Sequence, residues 1–219
     1  MIYYEILPQE QQKIYPKLDF AKDKGFILFG GTAIALQLGH RFSVDFDFFS
    51  SSVLDERLKD QILKKLGFDT ILKNTPNSLV FEKDNVKISF FGDLEFVNKS
   101  GYFDLDNVLK VADLKSLLAT KLKVLFERIE LKDYIDIAEI LKRSDITLQE
   151  GILEMYRFFD TTLLASDTLK ALTDFNHQQL DKLSKEDRKF LIKNVDEYIQ
   201  QILNEEKSEI KSNKYSRRK

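Results

Sequence analysis

The sequence predicts an α+β protein in which a mixed-sheet domain precedes a C-terminal helical bundle, and three observations carry that prediction. Short apolar or alternating runs, punctuated by glycines and a turn dipeptide, fill the first half. From about residue 112 the spacing becomes that of amphipathic helices. No repeat or proline-rich linker separates the two patterns, so the expected division is 1–112, 113–206 and a basic, flexible tail at 207–219.

Taken in order, Gln9 to Lys22 is polar and helix-compatible, and Gly25 opens the apolar run Phe26-Ile27-Leu28-Phe29, which reads as a buried strand. Gly30-Gly31 stops it. Thr32 to Leu38 is helical in composition and ends at Gly39. Phe42 to Phe49 alternates aromatic and polar residues as a strand does, and Asp55 to Leu66 is an amphipathic helix closed by Gly67. Strands follow at Asp69–Lys73, Ser78–Glu82 and Val86–Phe91, the last two joined by a hairpin turn at Asp84-Asn85. The helical half comprises Asp113–Arg128, Asp133–Arg143, Thr147–Phe159, Asp167–Phe175 and Ser184 to about Glu206. Asp113 and Asp167 are expected N-caps, and Ser184 with Asp187 forms a capping-box start.

Composition excludes several function classes. The 219 residues are 43% apolar and 32% charged, which suits a folded, soluble chain rather than a disordered one. Lys and Arg number 34 against 36 Asp and Glu, so any nucleic-acid-binding surface must be local. With no cysteine and only His40 and His177, thiolate chemistry, disulfides and Cys- or His-rich metal sites drop out. The N-terminus has no leader pattern and no apolar run reaches membrane-span length, which predicts a cytoplasmic protein without a membrane partner.

The strongest chemical pattern is Ser43-Val44-Asp45-Phe46-Asp47-Phe48-Phe49. Residues two apart on a strand share a face, about 6 to 7 Å apart at the backbone, so Asp45 and Asp47 project together while Val44, Phe46 and Phe48 face the core. Two adjacent carboxylates repel unless a cation neutralises them, and hard oxygen ligands suit Mg²⁺; an exposed, acid-decorated strand is the plainer alternative. Gly30-Gly31-Thr32, where a strand turns into a helix, offers close backbone approach and free N–H groups to an anion such as a nucleoside triphosphate, or serves simply as a tight turn. In the helix from Asp113, Lys121 lies in the middle of the arc formed by Leu114, Leu117, Leu118 and Leu125. A lysine there either snorkels or has an anionic partner. Asp133 and Asp136 share one face of the next helix, where first-turn acids also complement the helix dipole.

The run FGGTAIALQLGHRFSVDFDFF resembles the first motif of the polymerase-beta-like nucleotidyltransferases: paired small residues, a short helix, then two metal-binding aspartates one residue apart. With Gly39-His40-Arg41, Ser43 and Phe48-Phe49, it is most similar to the AbiEii/AbiGii toxin nucleotidyltransferases, and VKISFF and ATKLKVLFERIELKDYIDIAEIL resemble later motifs of that family. The resemblance spans roughly Phe26 to Leu141. It implies a nucleotidyltransferase domain at 1–112, catalytic roles for Asp45, Asp47, Lys121 and Asp136, and Mg²⁺ or Mn²⁺ held by Asp45 and Asp47. It also implies nucleotide contact by Gly30, Gly31, Thr32, Ser43, Lys132 and Asp133. Many superfamily members carry a third metal-binding acid on a neighbouring strand, where this chain has Ser89.

The reading that follows is transfer of a nucleoside monophosphate from an NTP to an acceptor hydroxyl, the acceptor being RNA such as tRNA, in a toxin with a separately encoded antitoxin. Transfer to a small aminoglycoside-like molecule and a degenerate, non-catalytic nucleotide- or partner-binding protein are the alternatives. For an RNA acceptor, the tail from Lys207 to Lys219, with six basic residues and one acidic, is the richest local positive charge.

Overall fold

Pro16 divides the N-terminal segment that polarity alone joins into one helix, because it lacks an N–H for the helical ladder. The result is α1 (Gln9–Ile14), a 3-10 turn (Tyr15–Leu18) and α2 (Asp19–Asp23). These come from a computed structural model that describes residues 1–159 and 164–216, with side chains to residue 205.

The sheet half continues through β1 (Ile27–Phe29), α3 (Gly30–Leu38), β2 (Asp45–Phe49), α4 (Glu56–Leu66), β3 (Thr70–Thr75), β4 (Ser78–Lys83) and β5 (Val86–Phe91). Asp55 caps α4 by accepting from the Leu58 N–H at 2.7 Å, and α3 ends before Gly39 as expected. Asp84 and Asn85 both take positive φ, 52° and 62°, the turn geometry that matches the twist of a tight hairpin.

Two further strands, β6 (Tyr102–Leu105) and β7 (Leu109–Ala112), form a hairpin that the expected strands did not include. Its turn is Asp106-Asn107, again with positive φ at both residues, so the same dipeptide marks both hairpins. The strands order as β3-β4-β5-β2-β1-β7-β6 in one seven-stranded sheet. β2 runs parallel to β5 and antiparallel to β1, and β7 runs parallel to β1, so the sheet is mixed as expected.

The helical half is α5 (Leu114–Val124), α6 (Leu131–Arg143), α7 (Leu148–Phe158), α8 (Ala165–Thr173) and α9 (Lys185–Ser216). Asp113 caps α5 through the Ser116 N–H at 2.8 Å, and Ser184 accepts from the Asp187 N–H at 2.9 Å, both as expected. Asp167 is not an N-cap but lies inside the first turn of α8, where its carboxylate accepts from the Leu164 N–H at 3.0 Å. The backbone of α9 runs past the expected end near Glu206. The side chains of the basic tail beyond residue 205, and Arg217, Arg218 and Lys219 altogether, lie outside the described residues.

α3 joins the two halves. Thr32 to Leu36 are all buried, so this helix is covered on every side. It packs against β1 and β2 on one flank and against α5 and α6 on the other. The sheet core is aromatic, with Phe48 stacked on Phe90 at 4.9 Å and Phe26 edge-on to Phe90 at 5.0 Å. The N-terminal end of α3, the start of β2 and the facing ends of α5 and α6 therefore meet at one cleft.

Candidate active site

On β2, Phe46 and Phe48 are fully buried on the core side while Asp45 and Asp47 lie on the other face, as the alternation requires. Val44 does not join the core. The strand begins only at Asp45, and Phe42 and Val44 precede it with 71% and 56% of their surface exposed. Between them Ser43 is buried with its Oγ 2.8 Å from Thr32 Oγ1; Thr32 donates its one hydroxyl proton to the backbone carbonyl of Asp45, which leaves Ser43 to donate to Thr32. Thr32 thus ties the first turn of α3 to the start of β2.

The parallel register sets Ser89 of β5 beside Asp47 and Lys87 beside Asp45. Ser89 hydrogen-bonds the Asp47 carboxylate, and Lys87 Nζ lies 3.0 Å from Asp45 Oδ2. The strand next to the two aspartates therefore supplies a hydroxyl and a cation rather than a third acid. Burial pushes the Asp47 carboxyl up from its ordinary value and the charge of Asp45 adds to this, while Ser89, Lys87 and Lys121 oppose it.

Both glycines of the turn are required by side chains that press on them. Gly30 has φ of 72°, and a Cβ there would lie 2.6 Å from Asp47 Oδ2. A Cβ on Gly31 would lie 2.2 Å from Nη2 of Arg41, whose guanidinium rests over the first turn of α3. Gly30-Gly31 is thus the floor on which Asp47 and Arg41 sit, at a helix N-terminus with unpaired N–H groups.

Behind the cleft lies a buried ionic network. Lys121, which sequence spacing places on an apolar arc, has anionic partners: its Nζ is 2.6 Å from Asp133 Oδ1 and 2.8 Å from Asp136 Oδ2. Asp133 is fully buried and also accepts from Arg128 Nε at 3.2 Å. Asp136, fully buried too, accepts from Arg41 Nε at 2.7 Å and Nη2 at 2.8 Å and lies 2.7 Å from His40 Nε2. Burial by itself would raise its carboxyl, but the hydrogen bonds of Arg41 and His40 and the charge of Lys121 outweigh it and hold the group well below the usual carboxylate range. Lys132, half-exposed on the first turn of α6, pairs with Glu130 at 3.1 Å.

Of the ten residues that the sequence points to, Gly30, Gly31, Ser43, Asp45, Asp47, Lys121 and Lys132 line one cleft of about 130 Å³. Thr32, Asp133 and Asp136 are buried behind it, bonded to residues that line it. The cleft also includes Arg41, Phe42, Val44 and Arg128. The Arg41–Asp136 clamp and the Lys87–Asp45 pair were not foreseen. Lys87 alternates with Val86 and Ile88 and so shares a strand face with Ser89, a pattern that could have found it; the clamp depends on packing 95 positions apart.

The family described as nucleotidyl transferase AbiEii toxin, type IV TA system, matches residues 18–205. The chain belongs to that family and so to the nucleotidyltransferase toxins. It is 26% identical over 186 residues to the uncharacterized protein aq_aa25 of Aquifex aeolicus (strain VF5), covering 80% of this chain and 88% of that one. Among solved structures it is similar to the polyadenylate synthase of Megavirus, with a TM-score of 0.46 and 16% identity over 63% of this chain. The chain spans 33% of the length of that enzyme. Among the described residues no helix is long and apolar enough to cross a membrane.

Proposed function

We propose that the chain moves a nucleoside monophosphate from an NTP to an acceptor hydroxyl, and that Asp45 and Asp47 hold Mg²⁺ or Mn²⁺ as the triphosphate binds. The observation that carries this reading is the convergence in one cleft of two carboxylates on one strand face, a helix N-terminus at Gly30-Gly31, and the cations Lys121, Arg128 and Lys132. The donor set suits Mg²⁺. Among the described residues no group of three or more His, Cys, Asp or Glu is placed to hold a metal alone, and Mg²⁺ takes one or two carboxylates and completes its octahedron with water and substrate phosphates. The raised Asp47 carboxyl is a second fit, since its cause is burial beside another acid, which a cation relieves.

When bound, the metal neutralises phosphate charge and orients the triphosphate. The chain's own residues do the rest. The first turn of α3 donates N–H groups to phosphate oxygens over glycines that leave room for them. Arg128 and Lys132 at the rim draw in the polyanion. Lys121 presents positive charge to the cleft from a socket formed by Asp133 and Asp136, which act as positioning residues because their oxygens are already engaged. Ser89 orients Asp47. The acceptor oxygen attacks the α-phosphorus, the bond to the β-phosphate oxygen breaks, pyrophosphate leaves, and the hydroxyl proton passes to solvent.

Membership of a toxin family of a toxin–antitoxin system supports a bacterial RNA such as tRNA as acceptor, a separately encoded antitoxin as partner and a cytoplasmic setting. Ser89 in place of an acid favours one second reading, nucleotide binding without transfer. Calorimetric titration of an NTP in the presence and absence of Mg²⁺ tests the reading: binding should require the metal and vanish in Asp45→Asn and Asp47→Asn. Metal-independent binding, or binding unchanged in both variants, would remove it.

A further inference from the structure

Two large apolar side chains stand exposed at the mouth of the cleft, where the core has no use for them. Phe42 and Val44 are the most and second most exposed of the residues that could have continued the apolar alternation of β2, yet they face outward. They are not displayed by slack chain. Ser43 between them is pinned by Thr32, the carbonyl of Asp45 accepts from the same hydroxyl, and the carbonyl of Phe42 accepts from Arg41 Nη1 at 3.0 Å. Arg41 is in turn clamped by Asp136. Tethers at residues 42, 43 and 45 thus set an aromatic ring and a branched aliphatic at the opening.

The same opening is lined by Lys121, Arg128, Lys132 and the carboxylates of Asp45 and Asp47. At about 130 Å³ the cleft is well below the roughly 300 to 1,000 Å³ of pockets that enclose a whole drug-sized ligand. A cleft of that size suits phosphate groups and would leave an attached base outside. The apolar surface that this base meets at the mouth is Phe42 and Val44.

We propose, resting on the nucleotide reading of the cleft, that Phe42 flanked by Val44 is the platform on which the nucleobase of the incoming NTP stacks. Stacking on an aromatic face tolerates every base, so this contact supplies affinity with little choice among the four NTPs. Discrimination, where it exists, comes from other groups.

The test is calorimetry with Mg²⁺ present, titrating each of ATP, GTP, CTP and UTP, and separately inorganic tripolyphosphate, into wild type, Phe42→Ala and Phe42→Tyr. Phe42→Ala should weaken the tightest NTP by about 5- to 100-fold, leave tripolyphosphate within about twofold, and melt like wild type because the side chain is exposed. Phe42→Tyr should bind as wild type. Unchanged NTP binding in Phe42→Ala, or an equal loss of tripolyphosphate, would overturn the platform while leaving the nucleotide site intact. Wild type that binds neither NTP nor tripolyphosphate would instead overturn the nucleotide reading, and the platform with it.

Discussion

Arg41 meets Asp136 with two nitrogens, Nε at 2.7 Å and Nη2 at 2.8 Å, while lying directly over Gly31. A residue just beyond α3 and a residue on α6 thereby fix the entrance to the α3 N-terminus, and the two halves of the chain share one site. A methyl group on Gly31 removes the space that the guanidinium occupies. Gly31→Ala should therefore fold with a loss of about 1 to 3 kcal/mol, as overpacking typically costs, and lose NTP affinity along with the clamp. Thermal melts with and without Mg²⁺ and NTP check this; wild-type stability and affinity would show that Arg41 moves aside freely.

Lys121 bridges the two buried acids of α6, at 2.6 and 2.8 Å. Lys121→Met suits the apolar arc around it but strands Asp133 with Arg128 as its remaining partner. Removing one member of a buried pair costs about 3 to 5 kcal/mol. Urea unfolding should show such a loss in Lys121→Met and partial recovery in Lys121→Met combined with Asp133→Asn. Additive losses in the double variant would contradict the socket.

Asp47 behaves oppositely. Its carboxyl is pushed up by burial and by Asp45, so ionising it costs the folded chain more than the unfolded one. Asp47→Asn should match or exceed the wild-type melting temperature without ligand, yet lose the stabilisation that Mg²⁺ with NTP provides, about 2.7 kcal/mol at a ligand concentration of 100 Kd. A variant that is less stable alone and still stabilised by the ligands contradicts this assignment.

The Asp136 carboxyl, held low when folded, returns to near its ordinary 3.8 when unfolded. The unfolded chain therefore binds more protons as the pH falls, and the stability contributed by this carboxylate, complete above that value, drains away below it. The stability difference between wild type and Asp136→Asn should narrow as the pH drops below about 4. A difference that stays constant through that range would mean that the carboxylate is not held by charge.

Much of this arrangement was legible in the residues themselves. The alternation of Asp45, Phe46, Asp47 and Phe48 assigned each side chain to its face because a strand's period of two leaves no other choice. It failed for Val44 because pairing begins one residue later, and an unpaired residue follows its local hydrogen bonds rather than the pleat. The hairpin at Asp106-Asn107 escaped notice although its turn repeats Asp84-Asn85, since its four-residue strands are too short to display a period. For Lys121, spacing left two outcomes, a snorkelling side chain or an anionic partner. Which of them holds was a matter of how α6 packs on α5, and no local pattern encodes that.

The most direct test of the central claim is transfer itself. Each of the four NTPs, labelled at the α-phosphate, is incubated with the protein, Mg²⁺ and total bacterial RNA, with Asp45→Ala as control. The account predicts Mg²⁺-dependent label in a discrete RNA species, with pyrophosphate released, and none with Asp45→Ala. RNA that stays unlabelled with every NTP, or label that appears equally with Asp45→Ala, would contradict it.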